Sequence, residues 1–250
     1  MSNEPIASDL PGWPEIDFSE FGPVERRPLG RIQKLTARFL GRNWIAIPHV
    51  THHDEIDITL FEERRLAWNA AHPHDKVTVI APLTKAVAEA LKAHPRFNSS
   101  LEADKSTLVQ KGYFNVGIAV DTPHGLLVAV LRAADSKSIG VLGKELVEVA
   151  QRARTKGLSM QEMAGGSITI SSLGHIGGTG FTPIINAPEV AVLGVSRLQV
   201  RAAPAPEGGV AWRKMLPLSL SYDHRVINGA EAAQFVCTIG SSLAGIDTFS

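Results

Sequence analysis

The chain has 250 residues, enough for one large α/β domain with a sizeable core. Its 25 Lys and Arg balance 25 Asp and Glu, with no basic stripe or acidic tail, which argues against nucleic acid and against an anionic membrane surface as main partners. No apolar run approaches bilayer length, the polar N-terminus does not read as a signal peptide, and Cys237 is the lone cysteine; the expected compartment is the cytoplasm.

Residues 1–21 carry Pro5, Pro11 and Pro14 and read as an arm or linker, leaving 22–250 as one folded domain. Leu29 to Leu40 reads as a helix ended near Gly41. His49 to Ile58 reads as a strand, with His49, Thr51 and His53 on one face and His52 and Asp54 on the other. Five histidines lie between His49 and His74, but neighbours in the strand point opposite ways, and His49 and His53 stand roughly 13 Å apart at ~3.3 Å per residue. We therefore expect no metal site. Thr59 and Glu62 have the spacing of a capping box for a helix reaching about Ala71, and Thr78 to Ala93 has the period of a buried helix face, with Pro82 in its first turn. Tyr113 to Val120 and Leu126 to Leu131 form a hairpin across Asp121-Thr122-Pro123-His124-Gly125. Helices follow at Ser138 to Ala153 and after Ser159, whose partner Glu162 completes a capping box. Ser167 to Ser172 alternates as a strand and leads into a glycine-rich loop, Leu173 to Gly180. That loop lacks the Gly-Lys-Ser/Thr of a phosphate-binding loop and reads as one needing unusual backbone angles and close approach. Val190 to Val200 is one strand and Val210 to Tyr222 another. Ala230 to Leu243 is a helix in which Cys237 reads as packed rather than reactive. Irregular alternation with at least one hairpin gives an α/β (α+β) chain with a mixed sheet and covering helices.

Asp223-His224-Arg225-Val226-Ile227-Asn228-Gly229 stands between the last strand and the last helix. A histidine there is a natural proton acceptor near neutral pH; a histidine merely satisfied beside a helix start is the competing reading. The residues themselves resemble the active-site signature of the dihydrolipoamide acyltransferases, the core subunits of 2-oxo acid dehydrogenase complexes. The resemblance extends from about Asp17 to Leu243 and is closest to the acetyl-transferring, pyruvate-type members. It is carried by Leu29 to Lys34, Trp44 to Thr51 (WIAIPHVT), Phe97 to Leu101 (FNSSL), Val116 to Val128 (VGIAVDTPHGLLV) and Ile168 to Val195 (ITISSLGHIGGTGFTPIINAPEVAVLGV). The family usually has Asp where this chain has Asn228 and proline where it has Ala129.

The resemblance implies the chloramphenicol-acetyltransferase-like two-layer sandwich, with active sites between the subunits of a homotrimer. It implies acetyl transfer between dihydrolipoamide and coenzyme A, these being substrates, with no metal. His224 is the implied base and Ser171, rather than Ser172, the implied oxyanion donor. Asn228 would hydrogen-bond at the site without balancing an imidazolium charge. Arg65 is implied as a contact for the coenzyme A phosphates, a solvated helix arginine being the competing reading. Neither the lipoyl domain nor the subunit-binding domain of full-length members is encoded, so the lipoyl group would come in trans or from a missing N-terminal region. Family members build cages of trimers through an apolar C-terminal tail. Here only Phe249 remains of that tail, which predicts a stable trimer with a weakened or absent cage. The alternatives are a small-molecule O-acetyltransferase of the same fold and a non-catalytic scaffold core.

Overall fold

The computed structural model describes residues 12–123 and 125–249; His124 of the expected hairpin turn, residues 1–11 and Ser250 lie outside the described residues. Residues 12–29 bury no side chain and have no regular structure apart from a 3-10 turn at Phe18–Phe21. Helix α1 spans Arg31–Ala46 and strand β1 His49–Asp57. Helices α2 (Thr59–Ala71) and α3 (Ile80–Ala93) follow, then a short hairpin of β2 (Ser99–Leu101) and β3 (Leu108–Gln110). Next come β4 (Val116–Thr122), β5 (Gly125–Leu131), α4 (Ile139–Thr155) and α5 (Met160–Met163). The chain closes with β6 (Ile168–Ser172), β7 (Ala191–Val195), β8 (Gln199–Pro204), β9 (Val210–Asp223) and α6 (Gly229–Ala244).

Seven strands form one mixed sheet in the order β1-β9-β7-β6-β4-β5, with β8 paired to the first half of β9. β6 runs parallel to β4 and β7, and the other pairs are antiparallel. Alternation divides the sheet into two unlike faces. Ile56, Ile118, Ile168, Ile170, Leu193 and Leu220 point into the main core, where the helices cover them; Phe97 of the α3–β2 turn stacks on Phe235 of α6 with ring centroids 4.0 Å apart. The opposite face carries Thr51, His53, Thr169, Ser171, Ser219 and Ser221, which the strand registers place in common rows. Two of those rows are tied by hydrogen bonds, Thr51 Oγ1 to Ser221 Oγ at 2.8 Å and His53 Nδ1 to Ser219 Oγ at 2.9 Å. The mixed sheet with helices is the architecture expected from the sequence.

Several local expectations are corrected. α1 runs on past Gly41, since an exposed helical glycine costs only about 1 kcal/mol and Asn43, one turn from the end, anchors its Nδ2 on the Ile185 carbonyl at 2.9 Å. Thr59 is not a capping residue: its hydroxyl accepts from Lys214 N of β9 instead. The strand expected over Val190 to Val200 is interrupted: Ser196 N still bonds the Pro217 carbonyl of β9 at 3.1 Å, but Pro217 has no N–H to give back, Arg197 N turns to the Gly178 carbonyl at 3.3 Å, and β8 starts afresh at Gln199. Cys237 is exposed, since the buried face of α6 is Ala232, Phe235, Val236, Ile239 and Leu243.

Candidate functional site

β9 delivers His224 to the end of the sheet, and the backbone there is held from three sides. Asp223 N donates to the Val190 carbonyl at 2.8 Å, His224 N to the Pro48 carbonyl at 3.1 Å, and Val226 N and Ile227 N both return to the Asp223 carbonyl. Asp223 is 3% exposed, and its carboxylate receives the Arg225 guanidinium in a bidentate pair, Nη2 to Oδ2 at 2.6 Å and Nε to Oδ1 at 2.9 Å. The signature aspartate and arginine thus form the turn, and the histidine between them is left outward. Its side chain is exposed, with its ring centroid 5.8 Å from that of Tyr222.

Asn228 is the N-cap of α6. Its Oδ1 accepts from Glu231 N at 3.0 Å while Glu231 Oε2 accepts from Asn228 N at 2.9 Å, a reciprocal capping box. Ser171 lies on the polar face, in the row Ser171–Gly194–Ser219–His53, whereas Ser172 lies in the row of Val195 and Leu218 on the helix-covered face. The glycine loop after β6 behaves as the sequence suggests at two points. Gly178 has φ +86, which favours glycine, and a side chain at Gly174 would crowd the Ser196 carbonyl at 3.1 Å. Where this loop crosses β1 and β9 it forms an open pocket of about 710 Å³ that includes His53, Gly180, Phe181 and Pro217.

Within one chain the structure does not bring Ser171 and His224 together. Ser219, the row partner of Ser171, is five residues from His224 and two strands over from Ser171. At ~3.3 Å per residue and ~4.8 Å per strand the two residues stand roughly 15–20 Å apart. Arg65 is heavily committed: Nε and Nη2 clamp Glu62, the latter at 2.7 Å, and Nη1 donates to the Val77 carbonyl at 2.7 Å, with the side chain 13% exposed. Among the described residues no group of three His, Cys, Asp or Glu is placed to hold a metal, and no helix is long and apolar enough to cross a membrane. The sequence reading passed over Glu189, a carboxyl 5% exposed beside β6 that burial pushes up to about 7.

Comparison with known proteins places these features in context. The family model described as 2-oxoacid dehydrogenases acyltransferase (catalytic domain) matches residues 21–249. The chain is 49% identical over 239 residues to the dihydrolipoyllysine-residue acetyltransferase component of the pyruvate dehydrogenase complex of Haemophilus influenzae, covering 94% of this chain and 42% of that protein. It is 51% identical over 242 residues to the component of the same description in Pseudomonas aeruginosa, covering 96% and 44%. The chain therefore spans less than half the length of these curated relatives. Among solved structures, one from crystallographic and enzymatic investigations of the role of a serine, a histidine and an asparagine in the catalytic mechanism of Azotobacter vinelandii dihydrolipoamide acetyltransferase superposes with TM-score 0.91 at 47% identity, covering 94% of this chain and 98% of that one. The cubic core of a pyruvate dehydrogenase multienzyme complex superposes with TM-score 0.90 at 48% identity over 94% of this chain and 98% of that one. A chloramphenicol acetyltransferase, at TM-score 0.54 and 15% identity over 79% of this chain and 89% of that one, shares the fold alone.

Proposed function

We propose that this chain, which belongs to the 2-oxoacid dehydrogenase acyltransferase family as its catalytic domain, moves an acetyl group between dihydrolipoamide and coenzyme A. The observation that carries the reading is the outward imidazole of His224, fixed by a turn that Arg225 closes on the buried Asp223 carboxylate, in a chain about half identical to acetyltransferase components. In this reading His224 takes the proton of the attacking thiol, whose ordinary pKa is around ~8.5. The thiolate adds to the thioester carbonyl and Ser171 donates to the oxyanion. The intermediate collapses, expelling the other thiol sulfur, which receives the proton back from the imidazolium. No enzyme thioester forms, so exposed Cys237 has no part.

The histidine and asparagine named for the Azotobacter enzyme stand at the same interval as His224 and Asn228, which supports an asparagine in this place as compatible with acetyl transfer. The serine named there precedes its histidine by the interval from Ser172 to His224, one residue less than that from Ser171. The faces of β6 favour Ser171 all the same, because it lies on the polar side in the row of Ser219 and His53, whereas Ser172 lies on the helix-covered side. Contact between Arg65 and the coenzyme A phosphates would use the two N–H groups that Glu62 and Val77 leave over.

The separation of Ser171 and His224 in one chain supports a site shared between subunits and a homotrimer as the working unit. Exposed apolar side chains on α1 and before it, among them Leu35, Phe39, Trp44 and Trp13, support burial against neighbouring copies. One solved structure similar to this chain is the cubic core of a pyruvate dehydrogenase multienzyme complex, and higher assembly of trimers belongs to the same reading. Phe249 packs on Phe61 and Trp68 of its own chain, at centroid distances of 5.8 and 6.0 Å, which favours a trimer over a tight cage. The lipoyl group would arrive on a separate domain, in the cytoplasm. The deciding experiment offers dihydrolipoamide and acetyl-, succinyl- or branched acyl-CoA to the purified protein. Preferential use of acetyl-CoA supports the reading; absence of transfer from every donor refutes it.

A further inference from the structure

Glu189 lies in the connection before β7, and both of its carboxyl oxygens are used. Thr169 Oγ1 donates to Oε2 at 2.6 Å and Asn186 Nδ2 donates to Oε1 at 3.3 Å. Thr169 is two residues before Ser171 on β6 and therefore on the same face. The carbonyl of Val190, the next residue, accepts the Asp223 N–H at the foot of the His224 turn. The space around the carboxyl is tightly drawn. A side-chain carbon at Gly166 would sit 2.6 Å from Glu189 Oε1, and one at Gly117 would sit 2.7 Å from Thr169 Oγ1, with no positive φ at either glycine. These two glycines make room for the pair rather than for a turn. The charged group facing it is Lys111, whose Nζ donates to the Gly166 carbonyl at 3.1 Å and whose own pKa burial lowers. A carboxyl so enclosed costs stability relative to an apolar side chain of the same shape, so stability alone does not account for it.

We propose that Glu189 is a positioning residue for the acyl transfer, holding through Thr169 the end of β6 that carries Ser171 and, through Asn186 and the adjoining Val190 carbonyl, the segment that supports His224. The inference rests on the roles assigned above to those two residues. An oxyanion donor is effective only when it is held in place before the reaction, and a fully satisfied buried network gives that rigidity. If the subunit supplies Ser171 to one site and His224 to another, Glu189 lies between the two. The two hydrogen bonds favour the ionised form, which accepts at both oxygens, against the burial that pushes the pKa up; a proton on Oε1 would face the Asn186 N–H, and one on Oε2 would make the Thr169 hydroxyl turn from donor to acceptor.

The test is steady-state transfer by the intact protein as wild type, Glu189→Gln, Thr169→Val and Thr169→Ser, with acetyl-CoA and dihydrolipoamide over a range of pH. Glu189→Gln and Thr169→Val are expected to lower kcat about tenfold or more with little change in either KM, because misplacing a transition-state contact leaves substrate binding alone. Thr169→Ser, which keeps the hydroxyl, retains the wild-type rate. The acid limb of the wild-type profile is expected to include the Glu189 ionisation near 7, and Glu189→Gln is expected to lose it, leaving a shallower limb. Should Glu189→Gln fail to fold, the Thr169 pair decides alone. Full kcat in Thr169→Val, or an unaltered acid limb in folded Glu189→Gln, overturns the inference while leaving the functional reading intact. A wild-type protein with no transfer activity overturns both.

Discussion

A shared active site makes a quantitative prediction for mixed subunits. Ser171 and His224 of one chain stand roughly 15–20 Å apart, too far for one tetrahedral intermediate. With the roles proposed for them, each site takes its serine from one protomer and its histidine from the next. Ser171→Ala and His224→Ala homotrimers each have every site damaged. In trimers assembled at random from equal amounts of the two, a site works when its serine comes from a His224→Ala chain and its histidine from a Ser171→Ala chain. That holds for about one quarter of sites in a cyclic trimer. Co-expression with two different tags, double affinity selection and an acetyl-transfer assay would measure it. Corrected for the composition of the selected trimers, recovery should approach that fraction, while the separately purified variants mixed without subunit exchange stay inactive. If the site lay within one chain, no mixture would recover activity, and that result would refute the argument from distance.

Ser171→Ala should lower kcat roughly 10²–10³-fold with little effect on KM, while Ser172→Ala costs much less; the reverse order in steady-state kinetics would move the oxyanion role to Ser172. Asn228→Asp should keep substantial activity, since Asp can serve the same cap toward Glu231 N, and its carboxylate should raise the pKa of His224 and move the acid limb upward. An unmoved limb would show that residue 228 acts as a helix cap only. Glu189 also predicts a pH dependence of stability. Its folded value of about 7 against the ordinary 4.5 means that the folded protein holds a proton the unfolded chain has released. Stability should therefore fall as pH rises from about 4.5 to about 7 and stay lower above that, by up to about 3 kcal/mol. Denaturant midpoints at fixed protein concentration should show this fall in the wild type and a flatter profile in Glu189→Gln; equal slopes would contradict it.

Features governed by local chemistry were legible in the sequence. The β4–β5 hairpin, the Ser159–Glu162 capping box and the strand–His224–helix junction each follow from a few neighbouring residues, and the structure contains all three. The polar face was legible in part, because alternation placed Thr51 and His53 together, though not their partners Ser221 and Ser219 on β9. What escaped depends on distant partners. The break after β7 comes where Pro217 offers Ser196 no N–H and Arg197 turns to Gly178, and Thr59 serves Lys214 instead of its own helix. Nor does anything beside Glu189 in the sequence announce its burial, which needs Thr169 and Gly166 brought to it by the fold. The period of α6 did hold the signal for Cys237. Its neighbours Phe235, Val236 and Ile239 define a buried stripe that leaves position 237 outward.

The most direct test is the rate of acetyl transfer from acetyl-CoA to dihydrolipoamide in purified wild type and His224→Ala, compared as trimers of equal concentration. Wild type should transfer acetyl, and His224→Ala should lose at least about 10²–10⁴-fold in kcat with its fold and assembly intact. A His224→Ala protein that transfers acetyl at close to the wild-type rate would contradict the assignment of His224 as the base.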